Sequence, residues 1–452
     1  MTTGFILSLL FAYQPPVPQE ILFENLIKKG IDGYYNVRFS IPVIPLAFEN
    51  IQIKRINSSL LLVNTEYFRD SAGTFDFYPR FFYRKQNYGI VIEPQFRLGK
   101  VRGWPNVKWQ NVVCGAYSRA YFYYEFPKLS VMAGRNKIQL NLEGLLAEED
   151  PPIDGVLALY RGKRFNFGFF TGQLDSRVPK DTTIFYEVGK LYNRYISGHS
   201  LEYRLDNFTA SFSEVAIYYS QTNMPDWYFL NPFMLYHPRI LDAREGGEHN
   251  VFWILAANYW GAKFSSHLEF LVDDFHLPDP NQWAPHKFAW IFKFFVLDFP
   301  FRRSFSGFYY TGATRWTYTH GLSLLYFNNR GEVMGSLNEN DFDRVEVFVR
   351  KHLGENLDAR IALWFKRKGE ANTDEKDIYW DYSVSHSDYP REFFLTRVVE
   401  KRLGFGLGVD YNERTIGFRG KFEYDLIWNK DHNRGNKGTE LRLILFGTAR
   451  VF

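Results

Sequence analysis

The sequence predicts an all-β chain, a closed antiparallel transmembrane β-barrel of about 16 to 18 strands with a short N-terminal periplasmic helix, and three observations carry that expectation. Side chains alternate with period two over strand-length runs. In RLGFGLGVDYNE, Leu403, Phe405, Leu407, Val409 and Tyr411 share one parity, while Arg402, Gly404, Gly406, Gly408 and Asp410 share the other. Aromatic residues make up 19% of the chain, where a soluble core leans on Leu, Ala and Val, and Tyr and Trp gather near the ends of the runs, as in FFYRKQNYG and AYFYYEF. The runs are about nine to eleven residues long, which suits a tilted membrane crossing, whereas globular strands average about five or six.

Residues 1–12 hold a short apolar core from Phe5 to Phe11 and a small residue, Ala12, ahead of a proline pair. That is the outline of a signal peptide without its positive n-region, with a native strand as the other reading. Residues 13–33 carry PVPQEILFENLIKKGI, where Ile21, Leu22 and Leu26 fall on one side and Gly30 stops a short helix, the expected periplasmic segment. Residues 34–452 form the expected outer-membrane barrel. In LDARIALWFKRKG, Ala359, Ile361, Leu363 and Phe365 oppose Asp358, Arg360 and Lys366. In RTIGFRGKFEYDLIW, Ile416, Phe418, Phe422 and Tyr424 oppose Arg419, Lys421, Glu423 and Asp425. The chain ends TELRLILFGTARVF, with Leu441, Leu443, Leu445 and Val451 on one parity and Glu440, Arg442 and Thr448 on the other. Phe452 resembles the terminal aromatic that barrel-assembly machinery recognises, although Thr448 and Arg450 share its parity. Roughly 410 residues at about 24 per strand and connection give the strand count, and an even-numbered closure leaves no edge in lipid.

No internal run approaches the ~20 apolar residues of a spanning helix, so a membrane role must be built from strands and outer-membrane lipid is an expected partner. The single cysteine, Cys114, rules out an intrachain disulfide and brings no metal partner. A formal net charge of +4, with both signs interspersed, suggests no nucleic-acid stripe. A soluble sandwich would show the same alternation; strand length and the terminal aromatics weigh toward the barrel, and no fixed-period repeat supports a solenoid.

Several stretches, in order, resemble the capsule assembly Wzi family: PQEILFENLIKKGI, MAGRNKIQLN, GHSLEYRL, SEVAIYY, FLNPFMLYHP and EFLVDD. The resemblance spans about residues 19 to 280, with Leu140 and Asn141 standing where a Trp-Gly pair would be usual. It implies a barrel of about 18 strands at the outer membrane of a Gram-negative-type bacterium, with capsular or extracellular polysaccharide as partner.

Glycan binding needs flat apolar faces for sugar C–H surfaces, planar donors and acceptors for hydroxyls, and cations where the glycan is charged. The candidates are Arg135, Asn136, His199, Glu202, Arg204, Glu214, Asn231, Asp273 and Asp274, with Trp227, Tyr228, Trp283 and Trp290 as stacking platforms. Each has a structural alternative. Arg135 and Glu214 would pair across the lumen, His199 would be a hydrogen-bonded strand residue, Asn231-Pro232 would be turn chemistry, and the tryptophans would be interfacial anchors.

Catalysis is set aside. Asp273-Asp274 with His276, and His386-Ser387-Asp388, show no specific nucleophile arrangement, and His237 and His249 lack zinc-ligand spacing. Gly404 to Gly408 sit within strand alternation, where small residues make room in the lumen, so no phosphate cradle and no cofactor are expected. Three functions remain in play: a non-enzymatic barrel that binds or organises surface polysaccharide, a porin for small solutes, and an outer-membrane hydrolase.

Overall fold

The computed structural model describes residues 37–39, 46–53, 60–63, 75–77, 79–85, 87–98, 113–136, 152–178, 190–220, 224–238, 249–261, 263–275, 286–320, 322–329, 332–335, 340–354, 356–371, 394–412 and 416–451. The expected signal peptide, the expected periplasmic helix, Trp283, His276, the His386 to Asp388 stretch and the terminal Phe452 lie outside the described residues.

Twenty-one strands belong to one sheet. Its N-terminal part is made of brief segments: β1 (Val37–Phe39), β2 (Leu46–Ile53), β3 (Leu60–Val63), β4 (Phe75–Phe77) and β5 (Pro79–Lys85). Longer strands follow: β6 (Tyr88–Leu98), β7 (Val113–Glu125), β8 (Leu129–Asn136), β9 (Ile153–Arg161), β10 (Phe165–Gln173), β11 (Asn193–Arg204) and β12 (Phe208–Ser220). After a four-residue helix, α1 (Trp227–Leu230), come β13 (His249–Trp260), β14 (Phe264–Asp274), β15 (Lys287–Leu297) and β16 (Ser304–Ala313). A two-residue pair, β17 (Asn328–Asn329) and β18 (Glu332–Val333), stands apart from the main sheet. The last strands are β19 (Phe342–His352), β20 (Leu357–Lys368), β21 (Glu400–Asn412), β22 (Ile416–Trp428) and β23 (Lys437–Val451).

The sixteen strands β6 to β16 and β19 to β23 form an unbroken antiparallel meander, each hydrogen-bonded to the next, at the lower end of the expected count. One pairing departs from the expected all-antiparallel sheet. β2 lies parallel to β23, Leu46 opposite Leu445 and Ile53 opposite Val451, because both strands run toward the same end of the sheet. At the other margin β6 pairs β4 and β5, which in turn pair β1 and β3. Among the described residues no ladder joins β2 to β1 or β3, so the expected closure of the sheet is not seen as a hydrogen-bonded seam.

Connections alternate in length. Residues 126–128, 162–164, 205–207 and 261–263 turn at one end of the strands, while 137–152, 174–192, 221–248, 314–341 and 369–399 span the other. The outer face carries Leu201, Phe212, Leu255, Leu268, Leu363, Leu403 and Leu407, and all of these but the half-buried Phe212 are exposed. Aromatic pairs border this row at both ends. Near the short turns lie Tyr124 with Phe126 at 4.5 Å, Phe165 with Tyr203 at 4.8 Å and Tyr259 with Phe264 at 5.2 Å; near the long connections lie Phe270 with Phe288 at 5.4 Å and Trp290 with Tyr310 at 5.9 Å. Two such belts flanking an apolar band are the arrangement that places amphipathic rings at headgroup level.

Candidate functional site

Register assigns every side chain of β11 to β13 to a face. Glu214 stands opposite His199 on β11 and Trp253 on β13, and two residues along the same face come Phe212, Leu201 and Leu255. Glu214 and His199 therefore lie on the outer face, in line with exposed leucines. Ser213, Val215 and Ile217 point to the inner face with Ser200, Gly198 and Ile196.

The inner face over β11 to β15 is filled. The connection from β16 to β19 folds back onto it, and its Leu324, Leu325, Phe327 and Met334 join Ile196, Val215, Ile217, Phe252 and Ile254 in one buried apolar cluster. Phe327 packs against Phe252 with ring centres 4.6 Å apart. Burying such side chains contributes about 1.5–3 kcal/mol each, enough to hold a connection that has no long strand of its own.

Polar contacts fix where the connection sits. Arg194, fully buried on β11, donates Nε to the Leu324 carbonyl at 2.6 Å, Nη1 to Asp175 at 2.7 Å and Nη2 to the Tyr326 carbonyl at 2.5 Å. The Asp175 backbone N–H donates to Asn329 Oδ1 at 2.9 Å. At the far side the Tyr318 N–H donates to Asp273 at 2.7 Å, and Lys287, paired with Asp274, donates to the Thr319 carbonyl at 3.0 Å. Asp273 and Asp274 thus work together, as anchors of this inserted segment.

The outer face is covered over β11 to β13. The β12 to β13 connection, with α1 in it, lies over Tyr195, Ala216, Tyr218 and Val251 through Phe229 and Tyr236. Phe229 stacks on Tyr218 with centres 4.3 Å apart. Glu214, 1% exposed, accepts the Tyr236 N–H at 2.6 Å, the His237 N–H at 3.0 Å and Trp253 Nε1–H at 2.9 Å, with His199 Nε2 at 3.4 Å. Three N–H donors and the neighbouring His199 ring compensate a charge that the outer face would otherwise leave among hydrocarbon side chains.

The other candidates are scattered. Arg135 does not meet Glu214; it pairs with Asp154 on the neighbouring strand, Nε to Oδ1 at 2.7 Å, because both belong to the outer face near the long connections. Asn136 points inward and donates to Met132 Sδ at 3.2 Å. Arg204 ends β11 at the short-turn end, beside Glu202, to which Asn166 also donates at 2.8 Å. Asn231 Oδ1 accepts the Phe233 N–H at 3.1 Å, the turn chemistry expected of Asn231-Pro232. Trp227 opens α1 and is 77% exposed, while the Tyr228 hydroxyl donates to the Leu235 carbonyl at 2.5 Å. Arg194, Asp175 and the inserted connection escape sequence reasoning. Their signal is loss of alternation: VAIYY and VFWILA are apolar on both parities, and SLLYF is an apolar run in a connection.

No family model matches the chain, and no curated protein matches it. Among solved structures it resembles Wzi of Escherichia coli, described as an outer membrane protein involved in group 1 capsule assembly and a carbohydrate-binding β-barrel. Identity is 10% over 92% of this chain and 81% of that one, with a TM-score of 0.52. The fold is that of an outer-membrane β-barrel. A BenF-like porin from Pseudomonas fluorescens aligns at 10% identity over 92% and 95% of the two chains with a TM-score of 0.47, and the outer membrane protein OprD from Pseudomonas aeruginosa at 11% over 83% and 88% with 0.45.

The barrel's inner face has a second character over β19 to β23, where it is a ladder of compensating charges. Arg360 donates to Glu346 at 2.5 Å, Arg350 to Asp358 at 2.6 Å, Arg402 to Glu440 at 2.7 Å and Arg442 to Asp425 at 2.6 Å. Trp364 lies flat over Gly404 and Gly406 of the barrel wall and donates Nε1–H to Asp425 at 2.7 Å, so these glycines make room inside, as their place in the alternation predicts.

Proposed function

We propose that this chain is a closed outer-membrane barrel of a Gram-negative-type bacterium, plugged by its own β16 to β19 connection, that binds or organises capsular or extracellular polysaccharide at the cell surface. The observation that carries this reading is the inserted connection pinned by Arg194: a filled lumen suits a holding protein better than a conduit. Its fold likeness to a carbohydrate-binding barrel supports the same reading. By the rule that short turns face the periplasm, the long connections face outward, with Trp227 and the Arg135–Asp154 pair at the glycan side. In this reading the remaining candidates, His199, Glu214, Asn231, Asp273 and Asp274, shape the loops that meet the glycan, Asn136 lines the upper lumen, and Arg204 lies at the periplasmic end. Many weak contacts along a repeating chain raise effective concentration without one tight site. Outer-membrane lipid and the barrel-assembly machinery are its other partners.

Retention of the source cell's surface polysaccharide by refolded protein, measured beside single-channel conductance on the same preparation, tests the proposal. Saturable retention with little conductance, reduced several-fold in Trp227→Ala, is expected. Open conductance without retention would sink it.

The charge ladder over β19 to β23 favours one second reading, a porin-like channel for small solutes. Partly exposed Arg344, Arg360 and Arg442 would line the free half of the lumen. Arg360→Glu should then shift ion selectivity toward cations.

A further inference from the structure

We propose that the β12 to β13 connection is a membrane-embedded flap, whose apolar tip, Phe233, Met234 and Leu235, lies among the acyl chains of the bilayer. This rests on the reading of the chain as a membrane barrel. The tip continues the lipid-facing surface: Phe233 stacks on Phe167 of β10 with ring centres 5.6 Å apart and planes 13° apart, and Phe167 stands opposite Leu201 on the exposed apolar outer face. Phe167 is the third residue of β10 counted from the short-turn end, so the flap reaches well down the wall from the long-connection end where it starts.

Its polar groups are used internally. Asp226 accepts the Tyr228 N–H at 2.9 Å, the Tyr228 hydroxyl donates to the Leu235 carbonyl, the Tyr236 hydroxyl donates to the Phe229 carbonyl at 3.2 Å, and the Phe233 N–H goes to Asn231. Irregular backbone survives beside hydrocarbon only where such groups are satisfied. The apolar side chains meanwhile point away: Phe233 is 83% exposed and Leu235 56%. From Met224 to Tyr236 the segment holds one charged residue, Asp226, and that residue caps α1. An aqueous loop or a polar partner would want the reverse distribution; lipid chains want this one. Glu214 is the bolt, since its carboxylate ties the backbone of Tyr236 and His237 to the barrel wall.

The test places an environment-sensitive fluorophore on single cysteines in a Cys114→Ser background, in phosphatidylcholine vesicles with and without spin-labelled acyl chains. Probes go at Phe233→Cys and Leu235→Cys in the flap, Leu201→Cys on the outer face and Arg434→Cys in the exposed turn between β22 and β23. Several-fold stronger quenching at 233 and 235 than at 434, matching 201, is the expected result. Quenching at 201 with none at 233 and 235 would overturn the flap proposal alone. An unquenched 201 would overturn the membrane-barrel reading beneath it. Sedimentation in detergent covers the other occupant: a dimer that Phe233→Lys abolishes would assign the tip to a second copy and overturn lipid occupancy.

Discussion

Arg194 on β11 holds the Leu324 carbonyl at 2.6 Å across 130 residues of sequence, and the same guanidinium reaches Asp175 and the Tyr326 carbonyl. One buried cation thus ties two long connections to the barrel wall. Arg194→Ala leaves Asp175 and two carbonyls without it, and breaking such a buried pair costs about 3–5 kcal/mol. Conductance of the refolded variant should rise and its unfolding midpoint in guanidinium should fall; an unchanged conductance would show that the apolar contacts of Leu324, Leu325 and Phe327 hold the segment alone.

Glu214→Gln should loosen the flap while the barrel persists. An amide presents one acceptor oxygen where the carboxylate serves three donors, so at least one buried N–H loses its partner, at about 1–3 kcal/mol. Limited proteolysis should cut the variant between Met224 and Pro238 faster than the native protein, with the heat-sensitive gel shift of a folded barrel retained. Equal cleavage rates would remove Glu214 from that role.

Two glycines on one strand should respond in opposite ways. A Cβ at Gly404 would run into the Trp364 ring and Asp425, whereas at Gly408 its nearest neighbour is Arg360 Cβ at 3.5 Å, an ordinary contact. Gly404→Ala should cost about 1–3 kcal/mol by overpacking. Gly408→Ala should be close to neutral. Urea unfolding of both in the same detergent checks the contrast, and similar midpoints would refute the packing account.

His320 belongs to the inserted connection, outside the spanning strands, and accepts the Leu322 N–H on Nδ1 at 3.1 Å. Burial first, then Lys287, pushes it down to about 4, with His249 acting the same way and Asp274 opposing. A withdrawn connection would return it to about 6.5. The inserted state therefore binds the proton less readily: its stability is full above about 6.5 and is lost as pH falls through about 4. Conductance should rise on acidification over that window, and His320→Asn should flatten the response. A native profile that is already flat would rule His320 out.

Much of the wall was legible in the sequence. Leu403 to Tyr411 and their partners on β20 and β22 alternate as read, because a strand with water or charge on one side and lipid on the other must repeat every two residues, and each registers with its neighbour accordingly. Gly404 and Gly406 kept the role that their parity assigned. The actual partners of Arg135 and Glu214, expected to meet each other across the lumen, were not legible, since which parity faces inward on a given strand depends on ladders formed with distant segments; β8 and β12 both turn those residues outward.

The sequence by itself determined the all-β class, the alternation along the strands and the aromatic ends, since each follows from local periodicity and from the media on the two sides of the wall. Only the tertiary structure decided what covers the wall where alternation fails. From Ser213 to Tyr219 both faces of β12 are buried, the inner one by a segment more than 100 residues later and the outer one by the connection that follows it. A doubly apolar strand announces that two partners exist; which chain segments they are is settled by packing and by buried charges such as Arg194 and Glu214, several of whose partners are backbone groups that carry no sequence signature.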